Sequence, residues 1–369
     1  MEIAVLGGGH GCYAAAADLS QKGHRVRFWR RNLEAFEPVL RSGGVNLIDH
    51  KGERSVPIHL VTNVLSEAIK DAQIIVVPLP AFSHGDLFHN LAPLLIDGQI
   101  VYLPPGTFGT YILAKAMCSA GNSAKVKLAE TGTLPYLARK HSSDTVVVSA
   151  YATRLPTGVF PARDTETVLQ TLQGIYPVES CEDILSGALM NAGPIIHTPL
   201  IIMNAAPLEH FDTWDIHNEG TQSSVRRVTT ELDNERIKIR ELLGYSAPHF
   251  PLADHYDPDR SGEEWMYGRA AHEKLTDSGD WRESIDLKGH RYMLEDARLG
   301  LSFLTSISRW LGFSAPIIEG LLAISSIVAE RDLYKEGRTF EDLGLSNLKP
   351  DELKRILFEG FDSPAESNH

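Results

Sequence analysis

The sequence predicts an α/β protein in which a doubly wound parallel sheet is followed by an all-helical domain. The first half alternates short β-branched runs with helical stretches, as expected of a parallel sheet covered on both faces. Past about residue 183 the strand-like runs thin out and long helical patterns take over. We therefore expect two domains, at residues 1–183 and 184–369.

The predicted strands are short and apolar, and helical periodicity fills the segments between them. Strands are expected at residues 3–6, 25–29, 57–61, 74–77, 100–103, 125–128 and 145–150. The intervening helices are expected at 14–21, 33–41, 65–70, 85–95 and 111–119, and the helices of the second domain at 184–190, 223–243, 293–311, 316–331 and 350–358. In the helix at 223–243, the predicted buried face consists of Val225, Val228, Leu232, Ile237 and Leu242.

A glycine-rich turn after the first predicted strand indicates a dinucleotide-binding site. Gly7, Gly9 and Gly11 lie in a run that also holds His10, and Cys12 takes the third position of the G-x-G-x-x-G pattern. Glycine permits a sharp turn and lets a pyrophosphate approach the backbone amides at the start of the next helix. Strand, turn, helix and second strand fit within about 30 residues, as a βαβ unit requires. We therefore expect a Rossmann domain.

Two arginines favour NADP(H) over NAD(H) as the cofactor. Arg30 and Arg31 directly follow the second predicted strand, where an acid would bind the ribose 2′-hydroxyl of NAD and an arginine accommodates a 2′-phosphate. A solvated surface pair is the alternative. Ligands of such sheets lie beyond the carboxyl ends of the strands, so we also expect Pro78, Pro105 and Gly106 at the cofactor.

Composition excludes several classes of function. The net charge of −13 disfavours nucleic acid and anionic membranes as partners. The three cysteines have no C-x-x-C spacing, which indicates neither a disulfide framework nor a metal site. We find no apolar stretch of the length that crosses a bilayer and no leader pattern, and we expect a cytoplasmic protein.

Two segments of the second half contain candidate catalytic residues. His197 lies in the apolar segment 191–199, and a buried histidine is either structural or a proton carrier that works near neutral pH. Arg291, Tyr292 and Asp296 belong to a second segment, in which the carboxylate could orient an imidazole and the guanidinium could bind a carboxylate. Acids at the start of a helix also stabilise its dipole, which is the alternative explanation.

Taken together, these motifs resemble those of the octopine, nopaline and opine dehydrogenases, and the spacing is similar to that of bacterial N-(1-carboxyethyl)-norvaline-type enzymes. The resemblance runs almost end to end. It is carried by the Gly7 turn, Pro105-Gly106, Glu130-Thr131, Asn191 with His197-Thr198-Pro199, Asn204-Ala205-Ala206, Arg291-Tyr292 with Glu295-Asp296, and the closing segment 335–345.

The resemblance implies a reductive condensation of an amino acid or amine with a 2-keto acid. An imine forms and is reduced by NAD(P)H to a secondary amine. His197 would be the catalytic acid and base, with Asp296 as its partner. Arg291 would bind a substrate carboxylate. The further substrate contacts are expected at Asn191, Glu130, Thr131 and Tyr292.

Several points stay open at this stage. Glu130 could select a cationic amine or only support its loop, and Arg139 or Arg154 could bind a second carboxylate. Cys12 and Gly193 depart from the family pattern, in which close relatives carry an asparagine at the latter position. The polar segment 254–287 and the aromatic residues Trp214, Tyr256, Trp265 and Trp281 could border the site or an interface of the expected homodimer.

Two other functions are compatible with the same residues. One is a dehydrogenase that reduces a keto acid to a 2-hydroxy acid with no amine partner. The other is a non-catalytic dinucleotide-binding protein.

Overall fold

The computed structural model describes residues 1–250 and 282–361 of the 369-residue chain. It divides into two compact units, the first comprising Met1–Ala188 with residues 355–361 and the second Leu189–Lys354. The division falls after residue 188 and not after residue 183, because the short helix Ile184–Ala188 packs on strands of the first unit. The end of the described chain also groups with the first unit, which the sequence did not indicate.

Twelve strands of the first unit form two sheets. In chain order they are β1 Glu2–Leu6, β2 Arg25–Trp29, β3 Gly44–Asp49, β4 Gly52–Pro57, β5 Leu60–Thr62, β6 Ile74–Val76, β7 Ile100–Leu103, β8 Lys127–Thr131, β9 Tyr136–Lys140, β10 Thr145–Tyr151, β11 Leu155–Phe160 and β12 Val178–Ser180.

The larger sheet has the strand order β12-β11-β8-β7-β6-β1-β2-β5. Its neighbours pair in parallel except β8 and β11, which are antiparallel. The chain adds β2 and β5 on one side of β1 and then returns to add β6, β7 and β8 on the other side. This reversal of direction is that of a doubly wound fold. Strand β1 is central, and its last four residues are buried on both faces. The expected α/β class is therefore confirmed.

A second sheet with the order β4-β3-β10-β9 packs against the first helix, α1 (His10–Gln21). Three of its strands were not predicted, and the predicted strand at 145–150 belongs here and not to the parallel sheet. Strand β4 has one buried residue, Val56; Arg54 is partly buried and the other four residues are exposed. It therefore has little hydrophobic pattern for a sequence argument to detect.

The other helices of the first unit cover the larger sheet or connect its strands. They are α2 Glu37–Ser42, α3 Leu65–Ile69, α4 His84–Leu91, α5 Gly109–Ser119, α6 Thr165–Leu172 and α7 Ile184–Ala188. Short 3₁₀ turns occur at Glu34–Phe36, Ala81–Ser83, Ala92–Leu94 and Ala162–Asp164.

Within residues 189–250 and 282–354, the second unit is helical apart from a two-stranded ribbon of β13 Trp214–Asp215 and β14 Arg282–Glu283. Its helices are α8 Ala192–Met203, α9 Ala205–His210, α10 Ser223–Leu242, α11 Tyr292–Leu301, α12 Ser302–Trp310 and α13 Pro316–Ala329, and α14 Pro350–Glu359 crosses the division at residue 354. Helix α11 is a π-helix, and it packs closely on α8. Of the predicted polar segment 254–287, residues 254–281 lie outside the described residues.

One stretch of the described chain is long and apolar enough to cross a membrane, and the sequence prediction had overlooked it. It is Ile184–Met203, with a mean hydropathy of 1.3. Within its tested 18-residue window, 83% is buried inside the protein, and the stretch comprises two helices, α7 and α8. Burial inside the protein and division into two short helices are both typical of core helices.

Candidate active site

The glycine turn between β1 and α1 has the geometry of a phosphate-binding loop. Gly7 has a φ of +126°, and a Cβ there would lie 2.4 Å from Leu79 Cδ2. Gly9 faces open space and precedes a helix that has no capping side chain and no acid in its first turn. The positive end of the helix dipole is therefore not neutralised by the chain, and the room above Gly9 suits a pyrophosphate. Gly11 is buried against Leu134 and Pro78, which keeps α1 close to the sheet.

Cys12 has a structural role in this turn. Its buried Sγ lies 3.6 Å from the carbonyl oxygen of Leu6 and 3.4 Å from that of Pro78. These carbonyls end β1 and follow β6, so the thiol ties α1 to two neighbouring strands. Burial raises the pKa of the Cys12 thiol to about 12. The residue is therefore a small packing group and not a nucleophile.

The two arginines after β2 have different environments. Arg30 lies along Gly8, where a Cβ would come within 2.3 Å of its Nε, and its Nη1 donates to Tyr13 Oη at 3.2 Å and to the Ala35 carbonyl at 2.7 Å. Arg31 is 77% exposed and lies 3.5 Å from the equally exposed Asp86 carboxylate. Arg30 is therefore fixed beside the glycine turn, whereas Arg31 has the environment of a solvated surface charge.

Glu130 supports the loop that follows β7. Its Oε1 accepts a hydrogen bond from the Phe108 amide at 2.6 Å, and its Oε2 accepts one from the Thr110 amide at 2.9 Å and another from the Thr110 hydroxyl. Gly106 packs on the same side chain, with its own amide donating to the Thr131 carbonyl at 3.1 Å. Because Glu130 is fully buried with both carboxylate oxygens engaged here, the structure favours the loop role over selection of a cationic amine.

Thr131 and Pro105 also belong to this part of the first unit. Thr131 is fully buried and its Oγ1 donates to the Pro156 carbonyl at 2.6 Å, so it holds β8 against β11 and presents no free hydroxyl to a substrate. Pro105 begins the loop just after β7. Thr107 and Phe108 both have positive φ in the same loop, a strained arrangement that Glu130 stabilises.

The predicted catalytic pair is in direct contact within the second unit. His197 Nδ1 lies 2.8 Å from Asp296 Oδ2, although 99 residues separate the two in sequence. His197 projects from α8 and Asp296 from α11. The side chain of His197 is 16% exposed and that of Asp296 is 5% exposed. A carboxylate at this distance fixes the ring orientation and holds the proton on Nδ1, which leaves Nε2 for chemistry.

Tyr292 covers one face of the His197 imidazole. Its ring is stacked on that of His197, with centroids 3.8 Å apart and an interplanar angle of 18°. Tyr292 is the first residue of the π-helix and Asp296 lies four residues later, so the same element holds the ring and the carboxylate. Such helices are rare and often occur at functional sites.

Burial determines the acidity of Asp296. It raises the pKa of the Asp296 carboxyl from an ordinary 3.8 to about 7, with the positive charge of Arg291 acting in the opposite direction. Arg291 is at the surface, with its guanidinium 5.3 Å from the centre of the Tyr292 ring. It is therefore close to the catalytic pair and accessible to a substrate carboxylate.

Asn191 and Gly193 begin the helix that carries His197. Asn191 is the N-cap of α8, and its side-chain oxygen accepts a hydrogen bond from the Gly193 amide at 3.0 Å. A Cβ on Gly193 would lie only 2.1 Å from Asp296 Oδ1. The carboxylate of the pair thus occupies the space that a side chain at position 193 would need. The sequence shows that Gly193 departs from the asparagine of the family pattern, and the structure gives the steric reason for the glycine.

The other candidate residues have structural partners. Arg154 makes two contacts of 2.8 Å with the Glu179 carboxylate, and Arg139 lies on β9. Trp214 donates to Asn204 Oδ1 at 3.1 Å and stacks on Phe211. Tyr256, Trp265 and Trp281 lie outside the described residues.

Sequence reasoning missed one charged residue beside the glycine turn, Lys140. Its Nζ lies 3.8 Å from the centre of the Tyr13 ring, and its amide donates to His10 Nδ1 at 2.8 Å. Lys140 ends β9, a strand that was not predicted, and 127 positions separate it from Tyr13. No local signal could have placed the two together.

The second unit matches a known family of domains. Residues 180–329 match the model of the NAD/NADP octopine/nopaline dehydrogenase α-helical domain. The chain is also 27% identical to an opine dehydrogenase from Arthrobacter sp. (strain 1C) over 355 residues, which cover 94% of this chain and 95% of the relative.

Solved structures with the same fold include two dehydrogenases. Octopine dehydrogenase in complex with NADH and L-arginine has a TM-score of 0.72 at 17% identity, covering 98% of this chain and 99% of that one. The same enzyme has also been solved with NADH and pyruvate. Yersinopine dehydrogenase with bound NADP⁺ has a TM-score of 0.62 at 14% identity, covering 97% of each chain.

The family domain and the relative that matches nearly end to end agree with the order of motifs along the sequence. Residues 180–329 match the α-helical domain of the NAD/NADP octopine/nopaline dehydrogenases, and the chain is similar to an opine dehydrogenase over 94% of its length, so both similarities support an NAD(P)-dependent oxidoreductase acting on CH–NH bonds.

Proposed function

We propose that this protein is an NADP(H)-dependent opine dehydrogenase that joins the amino group of an amino acid or amine to a 2-keto acid. The observation that carries the proposal is the 2.8 Å contact between His197 and Asp296. This contact fixes the orientation of an imidazole, the side-chain group best suited to exchange protons at neutral pH. The relatives support the substrate classes, since octopine dehydrogenase binds L-arginine and pyruvate.

His197 would act as base and then as acid within one turnover. Nε2 accepts the proton that the substrate ammonium group loses, and the free amine attacks the keto carbon to form a carbinolamine. The imidazolium then returns the proton to the hydroxyl group, which leaves as water while the nitrogen lone pair forms the C=N bond. Asp296 stabilises the imidazolium between these two transfers. The ring is neutral again when the imine has formed.

Arg291 would bind a carboxylate of the substrates. Arg291 is an exposed residue, and its guanidinium offers a planar pair of donors that matches a carboxylate. Tyr292 would keep the imidazole in its plane, and Asn191 would anchor the start of the helix that carries it. These three residues would thus position the reacting groups and not exchange protons.

The residues of the first unit fit a nicotinamide dinucleotide. The open space above Gly9 and the uncapped start of α1 suit the pyrophosphate, and Arg30 after β2 suits a 2′-phosphate. When bound in its reduced form, this cofactor supplies the hydride that reduces the C=N bond. The relatives include both an NADH and an NADP⁺ complex, so the preference for NADP(H) rests on Arg30.

The experiment is a matrix of amines and keto acids followed by NADPH absorbance. Pyruvate and other 2-keto acids are supplied with and without each of a panel of amino acids and amines, and the products are identified by mass spectrometry. We expect consumption of NADPH only when both substrates are present, with a product mass equal to their sum minus water plus two hydrogens. Turnover that ignores the amine would instead identify a keto-acid reductase.

A variant separates catalysis from cofactor binding. We expect His197→Ala to bind NADPH with unchanged affinity and to lose turnover. Absence of turnover in the wild-type protein across the whole matrix, with intact NADPH binding, would indicate a non-catalytic dinucleotide-binding protein.

We also propose a cytoplasmic homodimer. The cysteines Cys12 and Cys118 are free thiols, which suits a reducing compartment. Two-fold dimers are the commonest oligomers on symmetry grounds. Light scattering coupled to size-exclusion chromatography measures the mass directly, and a monomer at all concentrations would contradict the dimer.

A further inference from the structure

We propose that Lys140 and Arg30 together bind the 2′-phosphate of NADP(H), and that Tyr13 holds the two cations in place. The inference rests on the proposed use of NADP(H). It assigns a cofactor-selecting role to a residue of the second sheet, which lies outside the βαβ unit.

Both cations contact the same aromatic side chain. Arg30 Nη1 donates to Tyr13 Oη at 3.2 Å, and Lys140 Nζ lies 3.8 Å from the centre of the Tyr13 ring. The Tyr13 ring itself is fully buried and stands edge-on to Phe28 of β2, with centroids 5.1 Å apart. The Tyr13 ring is therefore held in one position by its packing.

The backbone also fixes Lys140 to the start of α1. The Lys140 amide donates to His10 Nδ1 at 2.8 Å, and His10 is the first residue of that helix. This contact joins the end of β9 to the glycine turn. The lysine is consequently held next to the dinucleotide-binding turn and does not depend on a mobile surface position.

The chain supplies no carboxylate ion pair for either cation within residues 1–250 and 282–361. Burial, and then the positive charge of Arg30, lower the pKa of Lys140 to about 8, while Cys12 and Asp144 act in the opposite direction. Asp144 is engaged with the Ser142 and Thr145 hydroxyls. Two half-buried cations that repel one another are stabilised by a bound anion with two charges.

The position favours the 2′-phosphate over the pyrophosphate. The pyrophosphate is accommodated by the backbone amides at the open side of Gly9. Arg30 instead follows β2, which is where the ribose 2′ position is recognised in this fold. Lys140 and Arg30 contact the same Tyr13 side chain. We therefore place Lys140 beside the ribose 2′ position of the adenosine as well.

The experiment compares two fragments that differ only in this phosphate. The affinities of 2′,5′-ADP and 5′-AMP are measured by isothermal titration calorimetry for the wild type, Lys140→Met, Lys140→Arg and Lys115→Met. The last is a matched control, since Lys115 Nζ lies 5.9 Å from the ring of Tyr111 on α5. Thermal melts establish that each variant is folded.

We expect Lys140→Met to weaken 2′,5′-ADP binding about 10-fold or more while the affinity for 5′-AMP stays within about twofold, because a charge-assisted phosphate contact is lost. Lys140→Arg should retain the preference, and Lys115→Met should behave as wild type. An equal loss for both fragments, or no loss for either, would overturn the role of Lys140.

The wild-type measurement distinguishes this inference from the proposed cofactor preference. If the wild type prefers 2′,5′-ADP and Lys140→Met keeps the full preference, NADP(H) stands and the role of Lys140 is refuted. If the wild type itself binds the two fragments equally, the NADP(H) preference fails, and the Lys140 site fails with it.

Discussion

At the scale of single residues, the proposed catalytic pair of His197 and Asp296 is most sensitive at Gly193. The Asp296 carboxylate occupies the place of a Cβ at this position, at a separation of 2.1 Å. We expect Gly193→Ala to push the carboxylate away from His197 and to lower kcat by roughly 100-fold, since a displacement of about 1 Å in a catalytic group has effects of this size. Steady-state kinetics at saturating cofactor measures the loss.

Gly320 provides the matched control. It lies in helix α13, and a Cβ there would meet no atom within 4 Å. Gly320→Ala should leave kcat unchanged and stabilise its helix slightly. If Gly193→Ala is as active as this control, the carboxylate position does not matter and the assignment of Asp296 fails.

The raised pKa of Asp296 predicts how activity depends on pH. Only the ionised carboxylate accepts a hydrogen bond from His197 Nδ1–H, which leaves Nε2 unprotonated for use as a base. Since the pKa of Asp296 is about 7, we expect kcat/KM to rise with pH through about 7. Asp296→Asn should lose about 10⁴-fold in kcat, because the amide favours the wrong tautomer.

Arg291 shifts the same titration. Its positive charge lowers the pKa of Asp296, so Arg291→Gln should move the acidic limb of the pH profile to higher pH. The variant should also raise KM for the carboxylate-bearing substrates. A changed KM with an unmoved pH profile would show that Arg291 binds substrate but has no electrostatic effect on the pair.

At the scale of secondary-structure elements, Glu130 links β8 to the start of α5. Glu130→Gln retains one acceptor and turns an NH₂ group toward a backbone amide of Phe108 or Thr110. We expect the free energy of unfolding to fall by about 1–3 kcal/mol, the usual cost of a buried polar group that loses its partner. Urea titration measures this change, and the exposed Glu53→Gln in β4 is the control.

The two roles considered for Glu130 have different signatures. A structural role changes stability for every substrate alike. A glutamate that selects cationic amines would instead raise KM for arginine-like amines and leave unfolding unchanged, and that result would contradict the loop role.

Helix α10 shows why the sequence predicts elements better than their faces. Its existence and length were predicted within a residue, but the predicted face was wrong in part. Leu242 is 46% exposed, whereas Arg236 is almost fully buried. The guanidinium of Arg236 donates to the carbonyls of Leu189, His249 and Phe250, all at 3.0 Å, and its Nε bonds Asp233. Tertiary partners made a charged residue part of the core, and no periodicity argument includes them.

At the scale of the whole molecule, the order of motifs was more informative than any one of them. The glycine turn, His197 and Asp296 each had an ordinary structural explanation, and together they predicted both the similarity to opine dehydrogenases and the contact between two helices. The second sheet escaped prediction because strands such as β9 are stabilised by pairing and not by their own pattern. Lys140 was missed for this reason, since its neighbours come from a distant part of the chain.

The free energy of unfolding should depend on pH because the Asp296 carboxyl is buried. The folded pKa of Asp296 is raised to about 7, so the folded protein binds this proton more tightly than the unfolded chain does. The stabilisation is fully present below pH about 4 and is lost as pH rises through about 7, at no more than about 1.4 kcal/mol per pH unit. Asp296→Asn carries no such charge. We therefore expect the variant to be no more stable than wild type near pH 4 and to gain a growing advantage up to about pH 7.5, beyond which the difference is constant. Urea titrations of both proteins at a series of pH values, followed by tryptophan fluorescence, measure that difference. A gap that does not change with pH would mean that Asp296 is ionised at little cost, and the acidic limb expected for kcat/KM near pH 7 would then have to come from another group.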